Sequence, residues 1–426
     1  MLHPKILICG AGIAGNALAF WLAKLDYDVT VIERYPDLRS TGLQVDLRGF
    51  GIEVMKRMGL EQSFRDKSIQ EKGIQFVDDQ GKRQAFFPAN RTGKGIQDFS
   101  TDWEIMRGDL VRLMYDETKT KVKYEFGKTV KSFEQSNGKV KVHFSGGVIE
   151  SFDLLVGADG QGSRIRQMML GSSNQGTIST LGLWTVYFII PWPEDLEEYV
   201  ANSYTAPGQR SIMTRGSKAH GMQVYLMCKD DPKRGTSLDK LRQVPKGDTR
   251  LEREALKSIF HGAKWRTEHI LKALDHVDDF YLERPQVVKL DSWYDRRVVL
   301  LGDAGYCPTA NTGMGTSSSL VGAYVLAGEI SLTGHHGKDN DNIGTALQQY
   351  NSKFHPFMEQ VQSGIVEKDA EGSLYPSTAI GIAVMNFVLW ICALCRINVI
   401  GGFFLKEKIT DWKLPEYEEL LSCVHR

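Results

Sequence analysis

The sequence predicts an α/β protein. A βαβ unit comes first, a β-sheet domain is interleaved with it, and helices close the chain. Three observations carry this reading. A glycine turn follows the first apolar strand and opens a helix. Two later strands end in Gly-Ala-Asp-Gly and Gly-Asp. Between those two, from about 177 to 285, the chain changes to aromatic-rich strands and a charged helical stretch. With 426 residues the chain is too long for one simple core, which calls for two domains.

The βαβ unit spans residues 5 to 33. Lys5–Cys9 reads as a strand, Asn16–Leu25 as an apolar helix, and Val29–Ile32 as the second strand. The turn between them is Gly10-Ala11-Gly12-Ile13-Ala14-Gly15. Its first glycine permits the tight turn, its second lets a pyrophosphate approach the backbone, and its third lets helix and strand pack closely. The helix N-terminus then faces the anion. Glu33 ends the second strand, where a carboxylate can bind a ribose hydroxyl. Arg34 follows it, and is read either as a nucleotide-phosphate contact or as a surface arginine.

Further on, Gly42–Gly49 reads as a loop and Ile52–Gly59 as a short helix ended by glycine. Residues 73–90 alternate as strands around a turn at Asp79–Gly81. A helix is expected at about Arg107–Glu117. Hairpin-like strands follow at Val122–Glu125, Val130–Gln135 and Lys139–Phe144, with Asn137-Gly138 as a turn. Phe152–Val156 is a buried strand that runs into Gly157-Ala158-Asp159-Gly160. Leu183–Ile190 and Gly221–Cys228 are strands with a Pro/Gly loop between them, and Thr249–Asp275 is a charged helical stretch. The last strand, Val298–Leu301, enters Gly302-Asp303, then Pro308 and Gly313-Met314-Gly315, with a helix starting near Thr316. Such a bare loop marks backbone held close to a ligand.

Composition excludes several classes. Lys+Arg and Asp+Glu are both 52, so nothing favours nucleic acid as partner. The six cysteines are scattered, which fits a reducing compartment and no disulfide framework. Cys392-x-x-Cys395 lies in an apolar run, and both thiols are read as packing residues. There is no H-E-x-x-H, no metal-ligand spacing and no nucleophile elbow. No secretory signal is read at the N-terminus. The uncharged run Ala379–Cys395 extends in apolar character to Phe404. It reads either as a helix packed on the body or as a membrane-associated segment. The location is therefore expected to be cytoplasmic, or at a membrane through residues 379–404.

The three glycine sites, in this order and spacing, resemble the single-component FAD-dependent aromatic hydroxylases, monooxygenases with the p-hydroxybenzoate hydroxylase fold. Over residues 4 to 365 the chain is similar to the tetracycline-inactivating and fungal natural-product flavin monooxygenases. The resemblance implies a Rossmann-like FAD-binding domain of the glutathione-reductase type, formed by 1–75, 98–176 and 286–365. It implies a substrate-binding domain of 76–97 and 177–285, with 366–426 as a C-terminal helical segment. Gly10, Ala11, Gly12, Ile13, Ala14 and Gly15 would hold the pyrophosphate of non-covalent FAD, and Glu33 its ribose. Arg107 would contact the ribityl and phosphate region, and Asp303 the same side. Asp159 and Gly160 match a motif tied to FAD and NAD(P)H. Pro308, Gly313, Met314, Gly315 and Thr316 would lie beside the isoalloxazine ring, where backbone N–H groups face the charge of reduced flavin.

The chemistry implied is reduction of FAD by NADPH or NADH, then O2 addition to give a flavin C4a-hydroperoxide. Oxygen is then transferred to a small aromatic or alkene substrate, or used in a Baeyer–Villiger step. Arg48 is expected to gate the flavin or touch substrate, with a surface-loop arginine as the other reading; Gln44 is expected to contact FAD. Trp184, Tyr187, Tyr225 and Met227 are either substrate-pocket residues or sheet core. The sequence departs from many relatives at Gly305-Tyr306, Ser317 and Gly322-Ala323, where they carry Ala-His, Asn and Asp-Ala. Tyr306 is read as packing or as a substrate contact. A halogenase is disfavoured, because LWTVYFIIP stands where a W-x-W-x-I-P signature would be expected. A flavin reductase acting on an isoprenoid-like substrate is the alternative enzyme, and a non-enzymatic carrier the alternative class. The oligomeric state is not legible.

Overall fold

The structure, a computed structural model, describes residues 4–39, 42–89, 91, 100–171, 177–231, 233, 236–245, 247–334, 342–371, 376–395 and 409–424. Its nucleotide unit is a six-stranded sheet in the order Tyr294–Asp295, Val298–Leu300, Leu154–Gly157, Lys5–Cys9, Asp28–Glu33, Lys123–Phe126. All pairs are parallel except the first. The helix Ile13–Lys24 buries Ala14 through Ala23 without a break, packed between the sheet and the helices Arg107–Thr118 and Gly315–Gly334. That continuous burial explains why its sequence is apolar all round rather than on one stripe.

The second sheet has seven strands in the order Tyr281–Glu283, Trp184–Ile190, Gly221–Cys228, Arg210–Ser217, Val200–Ala206, Gly73–Val77, Arg83–Pro88. One face carries Val186, Phe188, Val224 and Leu226 into a core closed by Leu256, Phe260 and Ile270 of two helices. The other face is turned toward the nucleotide unit. A two-stranded ribbon joins the halves: Gln44–Asp46 pairs with Glu104–Met106.

Several local expectations are corrected. The segment between the aromatic strands is not a loop, because it holds Val200–Ala206 and Arg210–Ser217. Every residue of Val200–Ala206 is buried, polar ones included, so no alternation marks it. Lys123–Phe126 belongs to no hairpin; it extends the parallel sheet beside Asp28–Glu33. Phe152–Val156 divides into Ile149–Phe152 and Leu154–Gly157, in different sheets. The 42–49 loop contains the short strand Gln44–Asp46. The charged stretch 249–275 breaks into Thr249–Phe260 and Thr267–Ala273 around Lys264 and Trp265, both at positive φ.

Ala379–Leu394 is a helix capped by the Thr378 side chain. Leu389, Cys392 and Ala393 pack on Ile74 and Phe87, while Ile380, Phe387, Trp390 and Leu394 are exposed. Cys395 is exposed rather than packed, because it falls past the end of that helix. Among the described residues no helix is long and apolar enough to cross a membrane. Residues 396–404 of the apolar segment lie outside the described residues.

Candidate FAD site

The glycine turn is built as tightly as its sequence requires. A Cβ at Gly10, where φ is +114°, would sit 2.4 Å from the Ala158 carbonyl oxygen, and one at Gly15 would sit 1.9 Å from that of Gly10. Gly12 caps the helix with no side-chain hydrogen bond, and the first turn holds no acid. The leading N–H groups therefore face outward with the positive end of the helix dipole. Glu33 accepts the Ala11 N–H at 3.0 Å and the Tyr35 N–H at 3.1 Å, which fixes its carboxylate beside the turn. Asn16, fully buried, donates to the carbonyls of Ala11 and Gly12 at 2.6 and 3.0 Å. Ile13 lies at the helix start, and Ala11 and Ala14 are buried.

The other two glycine sites converge on the same place. Gly302, at φ +64°, presses on the first helix: a Cβ there would lie 2.8 Å from that of Ala14. Arg107 reaches across, with a guanidinium nitrogen 3.7 Å from where a Gly12 Cβ would be. Its stem packs on Gly42, also at positive φ. Burial first, and Arg39 second, hold the Arg107 guanidinium below the usual arginine range, while Asp303, Tyr281 and Glu33 pull it back up. No described residue hydrogen-bonds to it. Burial pushes the Asp303 carboxyl above its ordinary value, against the pull of Cys307, Arg107 and Arg166.

The third loop forms the other end of the cleft. Pro308 and Met314 are buried, Gly313 takes a left-handed φ of +65°, and beyond Gly315 there is open space where a Cβ would meet nothing within 4 Å. Gly315 starts the helix, with Thr316 half-buried behind it. Two buried hydroxyls here, Thr309 and Ser318, have no hydrogen-bond partner among the described residues. Thr309 also holds a φ of +65°, rare for a β-branched residue.

Some expected site residues turn elsewhere. Asp159 is committed to the chain: it accepts the Ser163 hydroxyl at 2.5 Å and the N–H groups of Arg164 and Ile165 at 2.7 and 3.2 Å, capping the helix that follows. Gly160, at φ +81°, opens on free space. Arg34 is exposed and lies over the Tyr35 ring, which is the surface reading. Gln44 is buried, and its side chain bonds Glu104 and meets Gln223 instead of facing the cleft. Arg48 is no surface arginine: it is 1% exposed and paired with Asp46, and its N–H donates to Ser317 Oγ. Trp184 belongs to the helix-backed core, because its odd spacing from Tyr187 puts the two on opposite sheet faces. Tyr187, Tyr225 and Met227 share the face toward the cleft. The Tyr187 ring meets Tyr225 edge-on at 5.4 Å and stacks on Tyr281 at 6.2 Å. Tyr306 is a packing residue, buried against Trp293.

Sequence reasoning missed Arg166. Buried, it donates to the carbonyls of Ala304 at 2.8 Å and Gln161 at 2.6 Å, so it ties the second glycine site to the third. The only sequence signal was its place in the motif Ser163-Arg164-Ile-Arg166.

An arginine that no described residue hydrogen-bonds, reaching an uncapped helix start above a parallel sheet, is what a pyrophosphate would complete. The chain belongs to the FAD binding domain family, which matches residues 4–364. It is 46% identical over 435 residues to the FAD-dependent monooxygenase asL4 of Sarocladium schorii, across 99% of this chain and 100% of that one. It is 40% identical over 366 residues to the flavin-dependent monooxygenase eupH of a Phoma species, across 83% and 82% of the two chains. The crystal structure of the tetracycline destructase Tet(51) superposes with a TM-score of 0.75 at 28% identity, over 98% of this chain and 100% of that one. The chain thus belongs to the same family as these FAD-dependent monooxygenases.

FAD fits the residues present. Gly10 and Gly15 leave no room for a side chain, no described residue hydrogen-bonds the Arg107 guanidinium, and the open space beyond Gly315 and the hydroxyls of Thr309 and Ser318 suit a polar planar group. Gly12, Glu33, Arg107 and Asp303 would hold the adenosine, pyrophosphate and ribityl part. Pro308 and Gly313–Thr316 would hold the ring.

Proposed function

We propose that the protein uses NADPH or NADH, with NADPH preferred, together with O2 to hydroxylate or epoxidise a small aromatic natural product. FAD, when bound, would supply the redox chemistry between the nicotinamide and O2. The protein's own part is to place the substrate, exclude water and set the electrostatics of the cleft.

One observation carries the reading: an aromatic and polar sheet face comes within electrostatic reach of Asp303 in the third glycine site through Tyr281 and Glu283. Tyr187, Gln223, Tyr225 and Met227 lie on it, and Tyr281 borders it with its hydroxyl bonded by Gln161 at 3.3 Å. Tyr187 donates to Glu283 at 2.6 Å, and burial pushes both groups upward, so a proton is held on that pair. Flat rings offer an aromatic substrate stacking and edge contacts of about 1 kcal/mol each. Arg48 is buried and ion-paired with Asp46. The monooxygenase names of the relatives support oxygen transfer.

The test incubates FAD-loaded protein with NADPH, isotopically heavy O2 and a panel of phenols, polyketides, indole alkaloids and meroterpenoids. The expected product carries one heavy oxygen atom. Consumption of NADPH that yields a reduced product without new oxygen would overturn this reading in favour of a reductase.

A further inference from the structure

Away from the cofactor cradle, three charged side chains are buried together where the two sheets meet. Glu71 is 2% exposed, Glu104 1% and Arg215 6%. Arg215 donates through Nε and a terminal nitrogen to both oxygens of Glu71, at 2.7 and 2.6 Å, and to Glu104 Oε2 at 2.6 Å. Ser100 Oγ donates to Glu71 at 2.5 Å, and the Thr101 N–H to Glu104 Oε1 at 3.2 Å. Glu104 Oε2 also meets the amide of Gln44. Gln44 continues the chain: its backbone N–H donates to Gln223 Oε1 at 2.9 Å, and the two side-chain amides lie 3.5 Å apart.

Charge and hydrogen-bond arithmetic narrow the state of this array. Two carboxylates facing one guanidinium leave a surplus negative charge in a dry seam, which costs several kcal/mol unless a proton neutralises it. Arg215 gives two bonds to Glu71, which also accepts from Ser100, and only one to Glu104, so the guanidinium is spent mainly on Glu71. Glu104 shares its oxygen with the Gln44 amide, and an amide can turn its oxygen toward a carboxylic O–H as readily as its nitrogen toward a carboxylate. The groups acting on Glu104 are Arg215, which favours ionisation, and Glu71 and Asp46, which oppose it; Tyr225 lies within reach of the same field.

We propose that Glu104 is a positioning residue for the cofactor cleft: carrying a proton between Arg215 and Gln44, it holds the strand Gln44–Asp46, and with it Arg48, against the substrate sheet. The device is placed to matter. Gln44–Asp46 leads directly to Arg48, whose N–H is fixed to Ser317 in the first turns of the ring-side helix. The far end of the chain is Gln223, next but one to Tyr225 on the face proposed to take substrate. Burial raises the Glu104 carboxyl to about 8, despite the pull of Arg215. By linkage, a group that binds its proton more tightly when the seam is shut opens the seam when it ionises.

This inference rests on FAD occupying the cleft, and its test separates the two. FAD affinity is measured by quenching of flavin fluorescence at about pH 6.5 and about pH 9, for the wild type and for Glu104→Gln, whose amide stays neutral. The wild type is expected to bind roughly tenfold more weakly at the higher pH, one unit past the titration. Glu104→Gln is expected to bind alike at both. Should that variant fail to fold, hydrogen exchange at residues 44–48 of the wild type, corrected for intrinsic rates, decides instead. Faster opening at the higher pH supports the proposal and equal opening overturns it. A wild-type pH dependence that persists in Glu104→Gln also overturns it. A wild type that binds FAD at neither pH sinks the functional reading, and this proposal with it.

Discussion

The backbone N–H of Arg48 donates to the Ser317 hydroxyl at 2.8 Å, with Arg48 1% exposed and Ser317 fully buried. Ser317 stands where many relatives carry Asn. Here the smaller side chain is needed, because Gly51 passes so close that its Cβ would lie 2.6 Å from that of Ser317. The bond fastens the segment that carries Arg48 to the start of the helix behind the ring end of the cleft.

Ser317→Ala is therefore expected to leave a buried N–H unpaired. The loss is about 1–3 kcal/mol, read as a lower thermal midpoint of the apoprotein, with weaker FAD binding beside it. An unchanged midpoint would show that the Arg48 N–H finds water instead.

Arg107 makes the opposite prediction. Its guanidinium has no described bond partner, so Arg107→Met should leave the apoprotein midpoint within about 2 °C of the wild type. FAD affinity should fall about 10- to 100-fold, the worth of a charge-assisted contact to phosphate. Titration of the two apoproteins with FAD checks this, and equal affinities would remove Arg107 from the cofactor contacts.

Gly305-Tyr306 and Gly322-Ala323, two departures from the family pattern, are one event in the structure. A Cβ at Gly322 would lie 2.0 Å from the Tyr306 hydroxyl, which also accepts from Tyr350 at 3.2 Å. Gly322→Ala should cost about 1–3 kcal/mol by overpacking. Tyr306→Phe in the same chain should recover part of it, so a thermal double-mutant cycle should show coupling of at least about 0.5 kcal/mol. Strict additivity would mean that the two changes are unrelated.

This pair shows how far the sequence reached. The first βαβ unit was legible because its turn chemistry is local: six residues dictate φ, packing and a bare helix start. The departures at 306 and 322 were each visible, but their complementarity needs the helix laid over the loop. The strands Val200–Ala206 and Arg210–Ser217 escaped notice because polar residues such as Asn202, Thr205 and Ser211 are buried in them, and period-two patterning vanishes when both faces are covered. Of the two readings open for Trp184, its odd spacing from Tyr187 selects the sheet core, because the two residues point to opposite faces. The Glu71–Arg215–Glu104 array joins residues 144 and 111 positions apart, and no spacing in the chain announces it.

Glu104 also makes a stability prediction. Its carboxyl is raised from 4.5 to about 8 in the folded protein, so the folded state binds this proton more tightly than the unfolded chain does. Stability from this group is whole below about pH 4.5 and is lost as pH climbs toward about 8. Glu104→Gln, which carries no proton to lose, should gain stability relative to the wild type between those limits. Parallel urea unfolding series across that range measure it. A constant difference between the two proteins would mean that Glu104 is ionised throughout.

The central claim is that the three glycine sites hold FAD in a form that NADPH reduces and O2 reoxidises. The most direct measurement is the visible spectrum of the purified protein, first without oxygen, then with NADPH, then in air. The account predicts a yellow protein that bleaches with NADPH, faster with a suitable aromatic substrate, and regains its colour in air. A colourless protein that takes up no added FAD would contradict it.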